Sequence, residues 1–332
     1  MIFSNMSFII IARNESPVIG KCLDSVAAMT LDNCEVICVD SGSTDDTLEV
    51  MKSYVDRIAN LRVVQCSGFV NAAVARNAGM RFATKKYIFF VDGDVELYPD
   101  FISEALDRIQ SGRADAVTGK LREIQYSSDY KDEIRRVVRR KEMTEEKKCL
   151  ITGGIFIATR KIVDKAGTWD HSFVRLQDFD YTLRISRHGT LIQLPQFVGV
   201  HHTQEFHDRS WEHFRKGYPL LRGRLIRKNI DIPSAMFMLI RSDRGLATFL
   251  LLCIVLLCGL VMALLTSFTY ANVGQLLLAC LICDFLYSVV VKRQKLNQWL
   301  LHNYLSPPLI LFGIFMEIKQ QIGPTEIKTI VQ

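Results

Sequence analysis

Two aspartates, Asp92 and Asp94, have the residue type and spacing that suit a divalent cation. They follow the apolar stretch Tyr87–Val91 and are separated by Gly93. In extended backbone, residues two positions apart point to the same side, and a glycine between them permits a turn or close approach of a ligand. Mg²⁺ and Mn²⁺ prefer oxygen ligands and often bridge carboxylates to phosphates. A plain acidic turn has the same pattern, so the neighbouring elements have to decide between the two interpretations.

The apolar stretch before this pair belongs to a series of predicted strands that alternate with predicted helices. Ser7–Ile11 and Glu35–Asp40 are similar apolar runs, each followed by polar turn residues and a helix. The predicted helices cover residues 16–28, 47–54, 71–83 and 99–109. This alternation predicts an α/β fold with a doubly wound, Rossmann-like, mostly parallel sheet.

The predicted strands end in polar residues at the edge where such sheets bind ligands. Asn14 and Glu15 follow the first run, Asp40 ends the second, and Asp92 and Asp94 end the third. Ligands of open α/β sheets bind beyond the carboxyl ends of the strands. Asp40 alone could be a helix-capping residue, but three polar strand ends on one edge favour a binding site.

Four motifs in this order carry a resemblance to a known family: IIARNES, VDSGSTDDT, ARNAG and VDGD. The chain resembles the family-2 glycosyltransferases of the GT-A fold. The resemblance continues through Thr152–Gly154 and Trp169–Arg184 and so covers roughly the first 205 residues. It implies a donor that is a nucleotide-diphosphate sugar and a divalent metal cofactor, Mg²⁺ or Mn²⁺.

The resemblance also implies roles for individual residues. It places the nucleotide at Arg13, Asn14, Glu15, Asp40, Ser41, Arg76 and Asp92. It places the metal at Asp92, Asp94 and His201, and the donor or acceptor sugar at Gly153, Gly154 and Gln177. His201 is preferred to His202 for the metal, although neighbouring strand positions face opposite ways and the sequence does not show which one faces in.

The segment Gln177–Tyr181 contains the candidate catalytic base. Inverting glycosyl transfer needs a carboxylate that takes the proton from the acceptor hydroxyl. The family usually has Glu-Asp at this place, so Gln177 departs from the pattern, while Asp178 remains the predicted base and Asp180 the second choice. Acidic residues at a helix start are also common as capping and dipole partners.

Residues 129–148 are a charged stretch of mixed sign that we interpret as a helix. Its basic residues are either a solvated face or a basic rim for anionic lipid or a lipid-linked phosphate. The formal net charge of the whole chain is +6, which is too modest to favour an extended nucleic-acid surface. The nine cysteines include no pair of CxxC sites, which indicates reduced thiols in a cytoplasmic domain.

The composition becomes strongly apolar near Leu246. Residues 246–268 and 273–291 carry only one charged residue, Asp284, and predict a transmembrane helical hairpin within a span of 246–291. Basic residues before and after it place both flanks on the cytoplasmic side, which predicts an integral protein of the cell membrane with a cytoplasmic catalytic domain. Asp284 is either a functional group or a residue paired in a helix interface.

The remaining boundaries follow from these segments. Residues 1–205 form the catalytic domain, residues 206–245 are predicted as amphipathic juxtamembrane helices, and residues 292–332 as an interfacial or re-entrant segment. Gly259 and Gly274 in the apolar helices could mediate a homo-oligomer.

The leading hypothesis is an inverting, metal-dependent glycosyltransferase with a membrane-associated, lipid-linked glycan acceptor, in polysaccharide or glycoconjugate synthesis. The closest alternative is transfer to a polyprenyl phosphate, which would give a lipid monophosphate sugar. A sugar nucleotidyltransferase is disfavoured because residues 12–16 lack a glycine-rich phosphate loop. A non-catalytic membrane scaffold is the alternative from another class.

Overall fold

The computed structural model describes residues 2–138, 143–204, 210–242, 244–265, 270–285, 298, 300–315 and 323–331. The chain divides into two compact units. Unit 1 consists of Met1–Phe206 together with Gln320–Gln332, and unit 2 of His207–Lys319.

The first half of unit 1 alternates strands and helices, as the sequence predicts. Its strands are β1 (Ile2–Ser4), β2 (Met6–Ala12), β3 (Thr30–Asp32), β4 (Glu35–Asp40), β5 (Leu61–Gly68), β6 (Tyr87–Asp92) and β7 (Val95–Leu97). Its helices are α1 (Ile19–Ala27), α2 (Thr47–Lys52), α3 (Ala72–Met80) and α4 (Pro99–Gln110).

The second half of unit 1 contains longer strands and fewer helices. The strands are β8 (Ala116–Tyr126), β9 (Glu133–Val138), β10 (Lys147–Lys148), β11 (Phe156–Thr159) and β12 (Leu191–Gln204). The helices are α5 (Arg160–Ala166) and α6 (Gln177–Ser186). The last described strand of the chain, β13 (Thr325–Val331), also belongs to this unit.

The main sheet has 11 strands, and its central path runs β10-β12-β8-β11-β6-β2-β4-β5-β13. Strands β6, β2, β4 and β5 are parallel neighbours, so their carboxyl ends share one edge. Strand β11 is antiparallel to both β6 and β8, and β13 is antiparallel to β5. The prediction of a mostly parallel sheet is therefore wrong for the whole sheet, which is mixed. The alternation of strands and helices predicts a parallel strand pair only where a helical crossover joins the two strands.

Apolar side chains bury both faces of the central strands, which explains why their sequences are continuous apolar runs. One core joins alternate strand residues such as Phe8 and Phe89 to α1, α2 and α4. The other joins residues such as Ile9 and Phe90 to α3, α5 and α6. The helices thus cover both faces, and the doubly wound layering is confirmed.

The described residues of the charged stretch 129–148 do not form the helix that its composition suggested. Glu133–Val138 is strand β9, which pairs antiparallel with β8 in a register that sets Arg136 opposite Ile124. Backbone pairing with a long neighbouring strand has overridden the local helical preference. Residues 139–142 lie outside the described residues and include Arg139, Arg140 and Lys141 of the predicted basic cluster.

The prediction of an interfacial segment over residues 292–332 needs a correction at its end. Residues 325–331 form β13, which pairs with β5 from Thr325 opposite Gly68 to Val331 opposite Val63. The alternation of Thr325, Ile327 and Thr329 with the charged residues Glu326 and Lys328 fits an edge strand, but the apolar run before it outweighed this signal.

Unit 2 is helical over its described residues. It contains α7 (Ser210–Arg215), α8 (Tyr218–Lys228), α9 (Pro233–Ser242), α10 (Arg244–Leu265), α11 (Tyr270–Phe285), a π-helical turn (Leu301–Leu305) and α12 (Ser306–Phe315). The second predicted span, Val273–Val291, is helical to Phe285, and residues 286–291 lie outside the described residues.

Asp284 is paired within unit 2. Its Oδ2 accepts hydrogen bonds from Nδ2 of Asn303 at 3.0 Å and from the hydroxyl of Tyr304 at 3.1 Å. Of the two alternatives left open by the sequence, the structure therefore favours a polar contact between helical segments.

Candidate active site

A cavity of about 750 Å³ opens at the carboxyl edge of the parallel strands. Its lining includes Arg13, Glu15, Ser41, Arg76, Asp92, Asp94, Gly154, Gln177 and Asp178, all of them predicted site residues. They come from five separate parts of the chain: the loops after β2, β4 and β6, helix α3, and the segment from Gly154 to α6. The predicted ligand edge of the sheet is thus the edge that carries the cavity.

Arg76 and Asp92 form an ion pair at the floor of this cavity. Nη2 of Arg76 donates to Oδ1 of Asp92 at 2.6 Å, and the Arg76 side chain is only 3% exposed. The guanidinium also lies 4.6 Å from the ring centroid of Trp169. A Cβ at Gly154 would lie 2.4 Å from Nη2 of Arg76, so the absence of a side chain at Gly154 makes room for the ion pair.

Asp94 contacts His201, which lies on β12. Nε2 of His201 donates to Oδ2 of Asp94 at 2.8 Å, and Nδ1 is 3.9 Å from Oε2 of the buried Glu123. Burial alone lowers the pKa of His201, but Asp94 and Glu123 outweigh it and raise that pKa to about 10. The two carboxylates therefore favour the protonated form of His201.

His202 faces the other way along β12, as alternation on a strand requires. Its Nδ1 accepts from the hydroxyl of Tyr126 at 3.0 Å, and its Nε2 donates to Oε2 of Glu96 at 3.1 Å. Burial lowers the pKa of His202. Between the two histidines, the structure brings His201 to the aspartate pair and places His202 in a neutral hydrogen-bonded chain.

Glu15 adds a third carboxylate to the aspartate pair. A Cβ at Gly93 would lie 2.6 Å from Oε2 of Glu15, which puts this oxygen against the turn between Asp92 and Asp94. Burial and the charges of Asp94 and Asp92 raise the pKa of Glu15 well above its usual value. Burial and Asp94 also raise the pKa of Asp92, although Arg76 acts in the opposite direction. Negative charge is thus concentrated here beyond what the neighbouring cations offset.

The loops after β2 and β4 are held together by Asn14 and Asp40. Asn14 has a left-handed φ of 55° and its Oδ1 accepts from the backbone N of Thr44 at 2.8 Å. Asp40 is fully buried, and its Oδ1 accepts from the backbone N of Ser43 at 3.1 Å. Neither side chain is among the residues that line the cavity. The structure places them as supports of the loop that carries Ser41, and direct nucleotide binding by either stays a prediction.

Asp178 and Asp180 differ although both lie in the first turn of α6. Asp178 lines the cavity, and its charge contributes to the raised pKa of Asp92. Asp180 is fully buried, and its Oδ2 is 3.0 Å from Nη2 of Arg184. The placement favours Asp178 over Asp180 as the group that meets a substrate.

Several cavity residues were not singled out by the sequence. They are Phe69, Val70 and Asn71 after β5, and Arg175 and Phe179 beside α6. The rule that found the other loops applies equally to the loop after β5, since this strand is parallel to its neighbour β4. Its apolar residues carried no chemical signal, so it was missed. Gly153 lies beside the cavity residue Gly154 and has a φ of +81°, which favours glycine.

The donor groups of Asp94 and His201 suit a hard or borderline divalent cation. Oδ1 of Asp94 and Oε2 of Glu15 are buried and have no hydrogen-bond partner among the described residues. No group of three or more His, Cys, Asp or Glu side chains within the described residues is arranged to hold a metal by itself. Mg²⁺ is often held by one or two carboxylates together with substrate phosphates, and metal binding at Asp94 and His201 stays a prediction.

Comparison with known proteins agrees with this architecture. Residues 7–169 match the family model described as glycosyl transferase family 2, so this part of the chain is a family-2 glycosyltransferase domain. The uncharacterized glycosyltransferase YibD of Escherichia coli K12 is 35% identical over 96 residues, which cover 29% of this chain and only 28% of that relative.

Solved structures extend the similarity to most of the chain. The crystal structure of S. aureus TarS 1–349 has a TM-score of 0.55 at 19% identity and covers 72% of each chain. The structure of TarS 1–349 in complex with UDP-GlcNAc has a TM-score of 0.54 at 18% identity and covers 67% of this chain and 64% of that one. At this identity the similarity shows the shared α/β fold with its mixed sheet.

Proposed function

We propose that this protein is an inverting glycosyltransferase that moves a sugar from a nucleotide-diphosphate sugar to an acceptor at a membrane. The observation that carries the proposal is that the ion pair Arg76–Asp92, Asp94 and Asp178 all line the same cavity. A cation and a metal-binding carboxylate suit a diphosphate, and a separate carboxylate suits the acceptor hydroxyl. The TarS complex with UDP-GlcNAc supports a UDP-sugar as the first donor to test.

Asp178 is the proposed base in this reaction. As the acceptor oxygen forms its bond to the anomeric carbon, the bond from that carbon to the diphosphate breaks, and the hydroxyl proton passes to the carboxylate of Asp178. Attack from the side opposite the leaving group inverts the anomeric configuration. The buried guanidinium of Arg76 holds Asp92 in place at the floor of the cavity.

Asp94 and His201 are the proposed protein ligands of a Mg²⁺ or Mn²⁺, with Asp92 beside them. A cation there would offset the charge that builds on the leaving nucleoside diphosphate. The buried, unpartnered Oδ1 of Asp94 supports this assignment. Coordination would require His201 to give up the proton that it now shares with Asp94 at 2.8 Å.

Unit 2 is proposed to anchor the protein in the cell membrane. Among the described helices, one segment, Gly245–Met262 in α10, is long and apolar enough to cross a bilayer. Large apolar side chains on α10 and α11 are exposed: Leu251, Ile254, Leu257, Leu278 and Ile282. A lipid environment is the physical condition that suits so much exposed apolar surface.

The path of the chain supports a hairpin over a single crossing. Unit 1 contains the chain both before and after unit 2, because β13 pairs with β5. A chain that leaves a folded domain, enters a bilayer and returns to the same domain must cross an even number of times. The shorter apolar helix α11 is the candidate for the return crossing, and the positive residues of both flanks favour a cytoplasmic unit 1.

The test uses the full chain in detergent or nanodiscs with labelled nucleotide sugars, UDP-sugars first, and membrane lipid extracts as acceptor. We expect release of nucleoside diphosphate that requires Mg²⁺ or Mn²⁺ and stops with a chelator. Product analysis separates acceptors: a glycosidic bond to a lipid-linked glycan supports the proposal, whereas a lipid monophosphate sugar supports transfer to a polyprenyl phosphate. Failure of every nucleotide sugar to bind or react would leave a non-catalytic scaffold as the better hypothesis.

A further inference from the structure

Strand β13 ends the described chain but lies directly beside the donor side of the cavity. It is antiparallel to β5, with Thr325 opposite Gly68 and Ile327 opposite Cys66. The residues just before it, Gly323 and Pro324, therefore lie next to the segment Phe69–Asn71 that follows β5. Gly323, Pro324 and β13 lie outside residues 7–169, which match the family model, whereas Phe69–Asn71 lie inside that range.

Close contacts fix the segment after β5 to the start of β13. The backbone N of Phe69 donates to the carbonyl oxygen of Pro324 at 3.0 Å, and the hydroxyl of Thr325 donates to the carbonyl oxygen of Phe69. Both backbone polar groups of Phe69 are thus satisfied, one by Pro324 and one by Thr325. Gly68 has a φ of +80°, and a Cβ there would lie only 2.4 Å from the carbonyl oxygen of Pro324.

The segment fixed in this way is part of the cavity wall. Phe69, Val70 and Asn71 all line the cavity. Asn71 also caps α3, because its Oδ1 accepts from the backbone N of Val74 at 3.0 Å. A displacement of the segment would therefore change the cavity wall and disturb the start of the helix that carries Arg76.

The position of the segment in the sheet indicates which part of a donor it meets. Strand β5 is separated from β6, which carries Asp92, by β2 and β4. Three strand spacings of ~4.8 Å put the two strand ends roughly 14 Å apart. If Asp92 and Asp94 meet the diphosphate, a segment at this distance meets the nucleoside, and an aromatic residue such as Phe69 suits the flat face of a base.

We infer that Pro324 and Thr325 are positioning residues for the donor nucleotide, because they hold Phe69–Asn71 in place as the nucleoside wall of the cavity. This inference rests on the proposed function, since it assumes a nucleotide-sugar donor. Its consequence is that the donor site is completed by an element that follows unit 2 in the chain. Residues 1–206 alone would form an incomplete donor site.

The decisive variant is Thr325→Val, which removes the hydroxyl and keeps a β-branched side chain suited to a strand. Loss of one hydrogen bond predicts a three- to tenfold rise in KM for the nucleotide sugar and in the Kd of UDP measured by calorimetry. The value of kcat should change by less than about twofold, because Asp178 and the metal ligands are untouched. Thr325→Ser retains the hydroxyl and should restore the KM.

The matched control is Thr329→Val, which makes the same change at an exposed position of the same strand. We expect wild-type KM and Kd for this control. Gly68→Ala should have a larger effect than Thr325→Val, because its methyl group would collide with Pro324 and displace the start of β13. The thermal unfolding midpoint of each variant is measured in parallel, so that loss of folding is distinguished from loss of positioning.

The outcomes separate the inference from the proposed function. If the wild-type chain binds neither UDP, GDP nor any nucleotide sugar, both fail. If the wild type is active and Thr325→Val has the same KM and UDP Kd, only the positioning role is overturned. Equal changes of KM in Thr325→Val and Thr329→Val would also overturn it, because they would show a general weakening of the strand.

Discussion

At the amino ends of β2 and β4, the carboxylate of Glu35 is fully satisfied. It accepts hydrogen bonds from Oγ of Ser7 at 2.6 Å, from Oγ1 of Thr84 at 3.0 Å and from the backbone N of Thr84. Burial alone would raise the pKa of Glu35, but these hydrogen bonds outweigh it and lower that pKa. The ionised carboxylate at this edge therefore stabilises the fold.

At the carboxyl ends of the same strands, the acidic residues are poorly satisfied. Glu15 and Asp94 each have a buried oxygen without a partner among the described residues, and burial with mutual repulsion raises the pKa of Glu15 and of Asp92. An ionised carboxylate therefore lowers stability at the carboxyl edge of the sheet and raises it at the amino edge. Such local cost is expected where a ligand completes the interactions.

The largest effect that tests this difference is predicted for Asp94→Asn. The variant loses a charged oxygen ligand, and we expect glycosyl transfer to fall by about a thousandfold, equivalent to several kcal/mol of charge stabilisation. The thermal unfolding midpoint should change little, because the variant removes the repulsion from Glu15 and Asp92 but also the ion pair with His201. Transfer rates and unfolding midpoints of the purified chain are the measurements. A wild-type rate in this variant would place the metal elsewhere.

Asp178→Asn is expected to lower kcat by about a hundredfold, because the acceptor hydroxyl loses its base. The KM for the donor should change little. Asp180→Asn provides the contrast, because it weakens the buried ion pair with Arg184 and should lower stability by about 3 kcal/mol. If Asp180→Asn lowered kcat more than Asp178→Asn without destabilising the chain, the assignment of the base would be wrong.

The architecture of the carboxyl edge was largely predictable from the sequence, for a physical reason. Buried parallel strands need continuous apolar runs, and polar residues can follow such runs only where the strands reach an opening. That logic placed Glu15, Asp92 and Asp94 on the same edge. It also covered the loop after β5, which was overlooked because Phe69 and Val70 carry no charge.

Features that depend on pairing between distant segments were not predictable. The side on which His201 lies depends on the register of β12, which pairs with β7 and β8 and has irregularities between Gln193 and Gly199. Strand β9 is stabilised by β8 and not by its own pattern. The support role of Asp40 depends on the fold of residues 41–44, for which the sequence offered only turn residues.

A smaller effect is predicted for Glu15→Gln, which tests whether the carboxyl edge is strained. The raised pKa of Glu15 means that ionising it costs stability as pH rises from the unfolded value near 4.3 towards the folded value. At pH 7 we expect the free energy of unfolding of the variant to exceed that of wild type by about 1 kcal/mol. We expect its rate of glycosyl transfer to be about tenfold lower. Unfolding midpoints at pH 4 and pH 7 check the sign, since the difference should shrink at pH 4.

The smallest effect on activity is predicted for Glu35→Gln at the opposite edge, where transfer rates should stay within about twofold of wild type. Because the pKa of Glu35 is lowered in the folded chain, its stabilisation is complete above the unfolded pKa and is lost as pH falls through the folded value. The variant should therefore be less stable than wild type by about 1 kcal/mol at pH 7, a modest figure because the site is partly solvated. The difference should begin to shrink as the pH falls below the unfolded value near 4.3 and should disappear once the pH is below the lowered folded value. The two edges thus predict opposite signs for the same Glu→Gln change, and equal signs in Glu15→Gln and Glu35→Gln would contradict the assignment of the carboxyl edge as the functional one.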